Sequence, residues 1–125
     1  MPNDERAHSK QNRIIEIEDY KGASVSLYTP ERDHILEHHD VPMGENFHAI
    51  YDSVQSPDSV YESGTHDNRE VYFKKWASAT YGTKFYTKTI VEYDTDRTVG
   101  NIVTAMPSKR EGGNVGVRLY PDEEL

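Results

Sequence analysis

Three histidines and three carboxylates fall within Arg32-Asp33-His34-Ile35-Leu36-Glu37-His38-His39-Asp40. His34 and His38 are four residues apart, so on a helix they share one face. Histidine gives and takes protons near neutral pH, and its neutral ring binds metals. The pair therefore points either to acid–base catalysis or to metal ligation. His34-x-x-Glu37-His38 matches the H-x-x-E-H pattern of inverted zinc proteases, where two histidines hold zinc and the glutamate activates water. That chemistry needs a third protein ligand from a downstream helix, and strands are expected there. The other chemistry is metal-independent RNA cleavage. It needs a base for the 2′-hydroxyl, an acid for the leaving oxygen and cations for the charged phosphorus centre. His34, His38 and His39 offer proton transfer. Arg69, Lys74 and Lys75 lie on one expected strand, and Thr104 precedes the basic pair Lys109-Arg110.

Elements that would position these groups follow from periodicity. Arg13 to Asp19 and Ala23 to Tyr28 alternate and flank Tyr20-Lys21-Gly22, which predicts an N-terminal hairpin. Thr29-Pro30-Glu31 is a helix start, with Thr as cap and Pro in the first turn. That helix carries the histidines and ends before Val41-Pro42. Phe47, Ile50, Tyr51 and Val54 recur at helical spacing and predict a second helix from about Glu45 to Val54. Ser59 to Glu62, Arg69 to Trp76, Lys84 to Tyr93 and Val99 to Met106 read as a β-meander, with Pro107 ending the last strand. Val115 to Tyr120 is read as an edge strand or a tail. The expected fold class is α+β: an N-terminal β-hairpin and two helices packed on a four-stranded antiparallel sheet.

Composition bounds the rest. At 125 residues and 34% hydrophobic the chain supports one domain with a modest core. Mean hydropathy is -0.87. There is no cysteine, which excludes a disulfide framework and thiolate zinc sites. No apolar run reaches the roughly 20 residues of a membrane span, so no membrane partner is expected. Residues 1–12 have no apolar signal region and read as a disordered lead-in; 13–120 form the domain, and 121–125 an acidic tail. A cytoplasmic site of action is expected. Net charge is -8, which disfavours broad nucleic-acid binding. Basic residues do gather in the second half, including Arg69, Lys74, Lys75, Lys109 and Arg110.

The order of motifs carries a resemblance. His34-Ile35-Leu36-Glu37-His38-His39 is followed by Ser56-Pro57-Asp58-Ser59-Val60-Tyr61, then Val71-Tyr72-Phe73-Lys74-Lys75, then Ile102-Val103-Thr104-Ala105-Met106. This series resembles the phage-associated branch of the Barnase–EndoU–colicin–RelE nuclease superfamily, over about residues 25–110. The resemblance implies helices followed by a four-stranded antiparallel sheet. It also implies a metal-independent endoribonuclease, a toxin effector delivered within a larger secreted or phage protein. His34, His38, Lys74 and Thr104 would be catalytic, with Arg69, Lys109 and Arg110 binding substrate. No cofactor or metal is implied. RNA, with tRNA as one candidate, would be the substrate, and an immunity or antitoxin protein the partner. The competing reading is a non-catalytic RNA- or protein-binding module on the same fold, which the acidic charge favours. On that reading the histidines are solvated helix residues, the lysines the wet face of a sheet, and Thr104 an ordinary strand residue.

Overall fold

The computed structural model describes residues 13–38, 47–75 and 85–121. The lead-in 1–12, Trp76, Lys84, His39 and all of the acidic tail except Pro121 lie outside them. The elements are β1 (Arg13–Glu18), β2 (Ser24–Tyr28), α1 (Thr29–His38), α2 (Phe47–Gln55), β3 (Ser59–Ser63), β4 (Arg69–Lys75), β5 (Tyr86–Tyr93), β6 (Val99–Ser108) and β7 (Val115–Tyr120).

The sheet is not the expected four-stranded antiparallel one. It has seven strands in the order β1-β2-β6-β5-β4-β3-β7 and is mixed. The hairpin does not stand apart: β2 runs parallel to β6, with Ser24, Val25 and Ser26 opposite Val99, Gly100 and Asn101. The other neighbouring pairs are antiparallel. β7 is an edge strand on β3. Alternation tells which face a residue takes, but not which strand it lies beside, so the parallel join leaves no mark in the local pattern.

Pro107 does not end β6, which runs to Ser108. Pro107 sits opposite Thr87 of β5, while β2 covers β6 only from Val99 to Asn101. Past that point the second side of β6 has no strand partner among the described residues. A residue without an N–H is tolerated there, as on any edge.

One face of the sheet holds the main core. Val25 and Leu27 of β2, Tyr72 of β4, Val91 of β5, and Ile102 and Ala105 of β6 pack there with Ile35 of α1 and Ile50 and Val54 of α2. Each fully buried aliphatic side chain contributes about 1.5–3 kcal/mol. The α2 seat is polar as well as apolar. Ser53 donates to the Ile50 carbonyl at 2.6 Å, and its oxygen lies 2.7 Å from the Thr89 hydroxyl on β5. Helix α1 is held more lightly, since Ile35 is its one buried residue.

The opposite, outer face carries Phe73, fully buried, with Tyr61 and Tyr86 edge-on to its ring at 5.7 and 6.4 Å. The connection from β6 to β7 passes over this side, with Gly112 beside the Tyr61 hydroxyl.

Candidate functional site

Because Ile35 turns into the core, the histidines of α1 turn away from it. His34 and His38 are both exposed, with ring centroids 4.6 Å apart. His38 Nε2 lies 3.9 Å from Glu37 Oε1, with both side chains largely exposed. Such a pair contributes little beyond a few tenths of a kcal/mol. Among the described residues no group of three or more His, Asp or Glu side chains gathers to hold a metal ion.

The other sequence-predicted residues lie elsewhere. Lys74 is on the helix-bearing side of β4, and its ammonium donates to the Ser56 carbonyl at 2.7 Å, just past the end of α2. There it satisfies a terminal carbonyl and complements the helix dipole. Thr104 pairs with Ile90, on the outer face, and its buried Oγ1 has no hydrogen-bond partner among the described residues. Arg69 is also on the outer face and is neutralised by Glu92, Nε to Oε1 at 2.8 Å. Lys109 and Arg110 are exposed in the β6–β7 connection. Thr104 and Arg69 thus share the outer face, across the sheet from Lys74 and from the helix that carries the histidines.

That outer face holds a cleft of about 830 Å3. Its walls come from β1 and β2 (Arg13, Glu16, Ser24, Ser26, Tyr28), the first turn of α1 (Glu31), β4 (Arg69), β5 with its turn (Glu92, Tyr93, Asp94) and β6 (Val99, Asn101, Ile102, Val103). Register explains the floor: Ser26 lies opposite Glu16 on one side and Asn101 on the other, and Asn101 opposite Glu92. Four carboxylates and two guanidiniums line it. Both guanidiniums are paired, Arg13 with Glu16 at 3.4 Å and Arg69 with Glu92. The Asp94 carboxylate accepts from the Thr98 and Val99 amides and the Thr98 hydroxyl. Those hydrogen bonds, the Thr98 amide first, hold its pKa below the usual carboxylate value. The cleft therefore has a surplus of negative charge.

A second cluster was missed by sequence reasoning. Asp19, with a fully buried side chain, receives the Lys21 and Ala23 amides on Oδ1 at 2.8 and 2.9 Å. Its Oδ2 accepts from the Tyr93 hydroxyl at 2.7 Å and forms an ion pair with Arg97 Nη2 at 3.1 Å. Arg97 forks onto both Glu70 oxygens at 2.6 and 2.7 Å and stacks 4.3 Å from the Tyr93 ring centroid. The single proton of Tyr93 is committed to Asp19. In the short contact between the Tyr72 and Tyr93 hydroxyls, Tyr72 must then donate, and Arg97 donates to Tyr72 at 3.2 Å. Burial pushes the Tyr72 and Tyr93 hydroxyls far above the ordinary tyrosine value. Burial first, then the Glu70 charge, pushes Tyr20 up to about 12. Arg97 is raised by its hydrogen bonds to Glu70.

The cluster closes one end of the core, where Tyr20 beyond β1 meets Tyr120 of β7 at 5.1 Å. One sequence signal existed for it. Gly100 sits inside a strand, opposite Tyr93, and a side chain there would meet the Tyr93 ring at 2.8 Å. A glycine within a strand marks such a close approach.

No protein-family model, no curated protein and no solved structure matches this chain.

Proposed function

We propose that this chain is a non-catalytic binding module that engages a protein partner through the outer face of its sheet. One observation carries the reading: the groups that RNA cleavage would need to converge do not share one side of the sheet. The exposed histidines are on α1, Lys74 is spent on the end of α2, and Thr104 lies across the sheet from both. An acid, a base and a phosphate cation must meet within hydrogen-bond reach of one substrate to act together. The net charge of -8 and the paired state of Arg13 and Arg69 add to it, since a phosphate chain needs cations that are free to neutralise it.

The test sets this reading against the endoribonuclease directly. Purified protein is incubated with total RNA and with tRNA in EDTA, and a captured partner is reconstituted from purified components and crosslinked. The expected result is intact RNA, with crosslinks on Glu16-, Asn101- and Arg69-bearing strands. Cleavage that survives EDTA, leaves a 2′,3′-cyclic phosphate and disappears in His34→Ala/His38→Ala overturns it. In that case the toxin effector, with its neutralising protein, becomes the function.

A further inference from the structure

We infer that the outer-face cleft recognises a cationic protein segment, an arginine or lysine side chain entering beside Glu31 over the Ser26 hydroxyl. This rests on the binding-module reading and names what the module takes. Two independent features of the cleft point the same way.

The first is charge. Glu16 and Glu92 are matched by Arg13 and Arg69, and Asp94 is occupied by its own turn. Glu31 lines the same cleft and forms no ion pair with any described residue. Its place in the first turn of α1 suits a carboxylate, but the helix dipole is only a partial charge and leaves the anion open to a full cation.

The second is a hydroxyl on the cleft floor that no described side chain occupies. Ser26 is only 3% exposed, lines the cleft and shares the outer face with Glu16 and Asn101. Among the described residues its hydroxyl makes none of the side-chain hydrogen bonds that its neighbour Ser24 makes to Glu16. The hydroxyl is not sealed off: it opens on the cleft, so an incoming donor takes the place of water there. Ammonium and guanidinium groups carry only donors, and several at once. They can bond Glu31, the Ser26 oxygen and the Asn101 carbonyl oxygen together. Tyr28 also lines the cleft, and an aromatic ring attracts such a cation. A volume of about 830 Å3 accommodates several side chains of a peptide, more than one small amine.

The test uses the full chain, isotope-labelled, titrated with a penta-arginine peptide, and with penta-glutamate, spermine and tRNA as separate arms. Expected are amide shifts at Ser26, Glu31 and Asn101 with penta-arginine and an affinity that falls with salt. Glu31→Lys should weaken binding at least about tenfold and Ser26→Ala about threefold. Melting temperatures of both variants are measured alongside, so that unfolding is not read as lost binding. If Glu31→Lys does not fold, Glu31→Gln replaces it and should still weaken binding. Absence of penta-arginine binding overturns the inference, as do shifts elsewhere or unchanged affinity in a folded Glu31 variant. Equal affinity for spermine overturns the protein segment as occupant, and tRNA binding in the cleft overturns the cationic ligand. Peptide bound at another surface sinks the cleft alone. RNA cleavage in EDTA sinks the binding-module reading beneath it.

Discussion

The Tyr93 hydroxyl donates to Asp19 Oδ2 at 2.7 Å, joining the last residue of β5 to the turn of the N-terminal hairpin. Asp19 has no exposed side-chain surface, and Arg97 supplies its compensating charge at 3.1 Å. Removing one member of a buried pair leaves the other uncompensated. Asp19→Ala should therefore lower stability by about 3 kcal/mol. Tyr93→Phe, which keeps the ring under Arg97, should cost about 1–2 kcal/mol. Urea unfolding of both variants checks the order; equal losses would show that the Arg97 contact matters no more than the hydroxyl.

Alkaline pH should act on the same end of the core. Tyr20 is pushed up to about 12 in the folded chain, while the unfolded chain ionises near the ordinary value of about 10. The folded state holds the proton more tightly. The stability this supplies is present below about pH 10 and is lost as pH rises through about 12. Tyr72 and Tyr93 shift in the same direction and deepen the loss. Urea midpoints should fall across that window, and tyrosinate absorbance from Tyr72 and Tyr93 should emerge only with unfolding.

Gly100→Ala should destabilise by about 1–3 kcal/mol, because its new carbon would sit 2.8 Å from the Tyr93 ring and 2.9 Å from Val91. Both neighbours belong to the core and cannot swing into solvent. A calorimetric melting temperature unchanged from the parent would show that β6 yields instead.

Lys74→Met should cost only about 0.5 kcal/mol, the loss of a carbonyl bond and a favourable charge at the end of α2. The apolar stem survives in methionine, so the change isolates the ammonium. Loss of several kcal/mol in urea unfolding would mean that the ammonium does more than cap the helix.

Much of the element list was legible because it rests on local rules. The hairpin, α2 and strands β3 to β5 begin or end within a residue or two of the expected positions, where those residues are described. The join between β2 and β6 was not legible, since it depends on two segments far apart in sequence. In α1, the i, i+4 spacing put His34 and His38 on one face, as their ring contact shows. It did not say which way that face points, and Ile35 decides it. Nothing local marks Asp19 and Arg97, which sit at turns, where charge is ordinarily exposed, yet the folded chain brings them together beside Tyr72 and Tyr93.

The parallel contact of β2 with β6 also sets an order of assembly. Val25 and Leu27 are buried in the finished molecule, but the strand that flanks them begins only at Val99. A chain emerging from the ribosome therefore carries the hairpin, both helices and three further strands before the hairpin has its neighbour. Contacts of such long sequence separation are slow to form and leave apolar surface open meanwhile. The interval between synthesis of β2 and of β6 is when this protein is most exposed to misassociation and most dependent on whatever shields nascent chains.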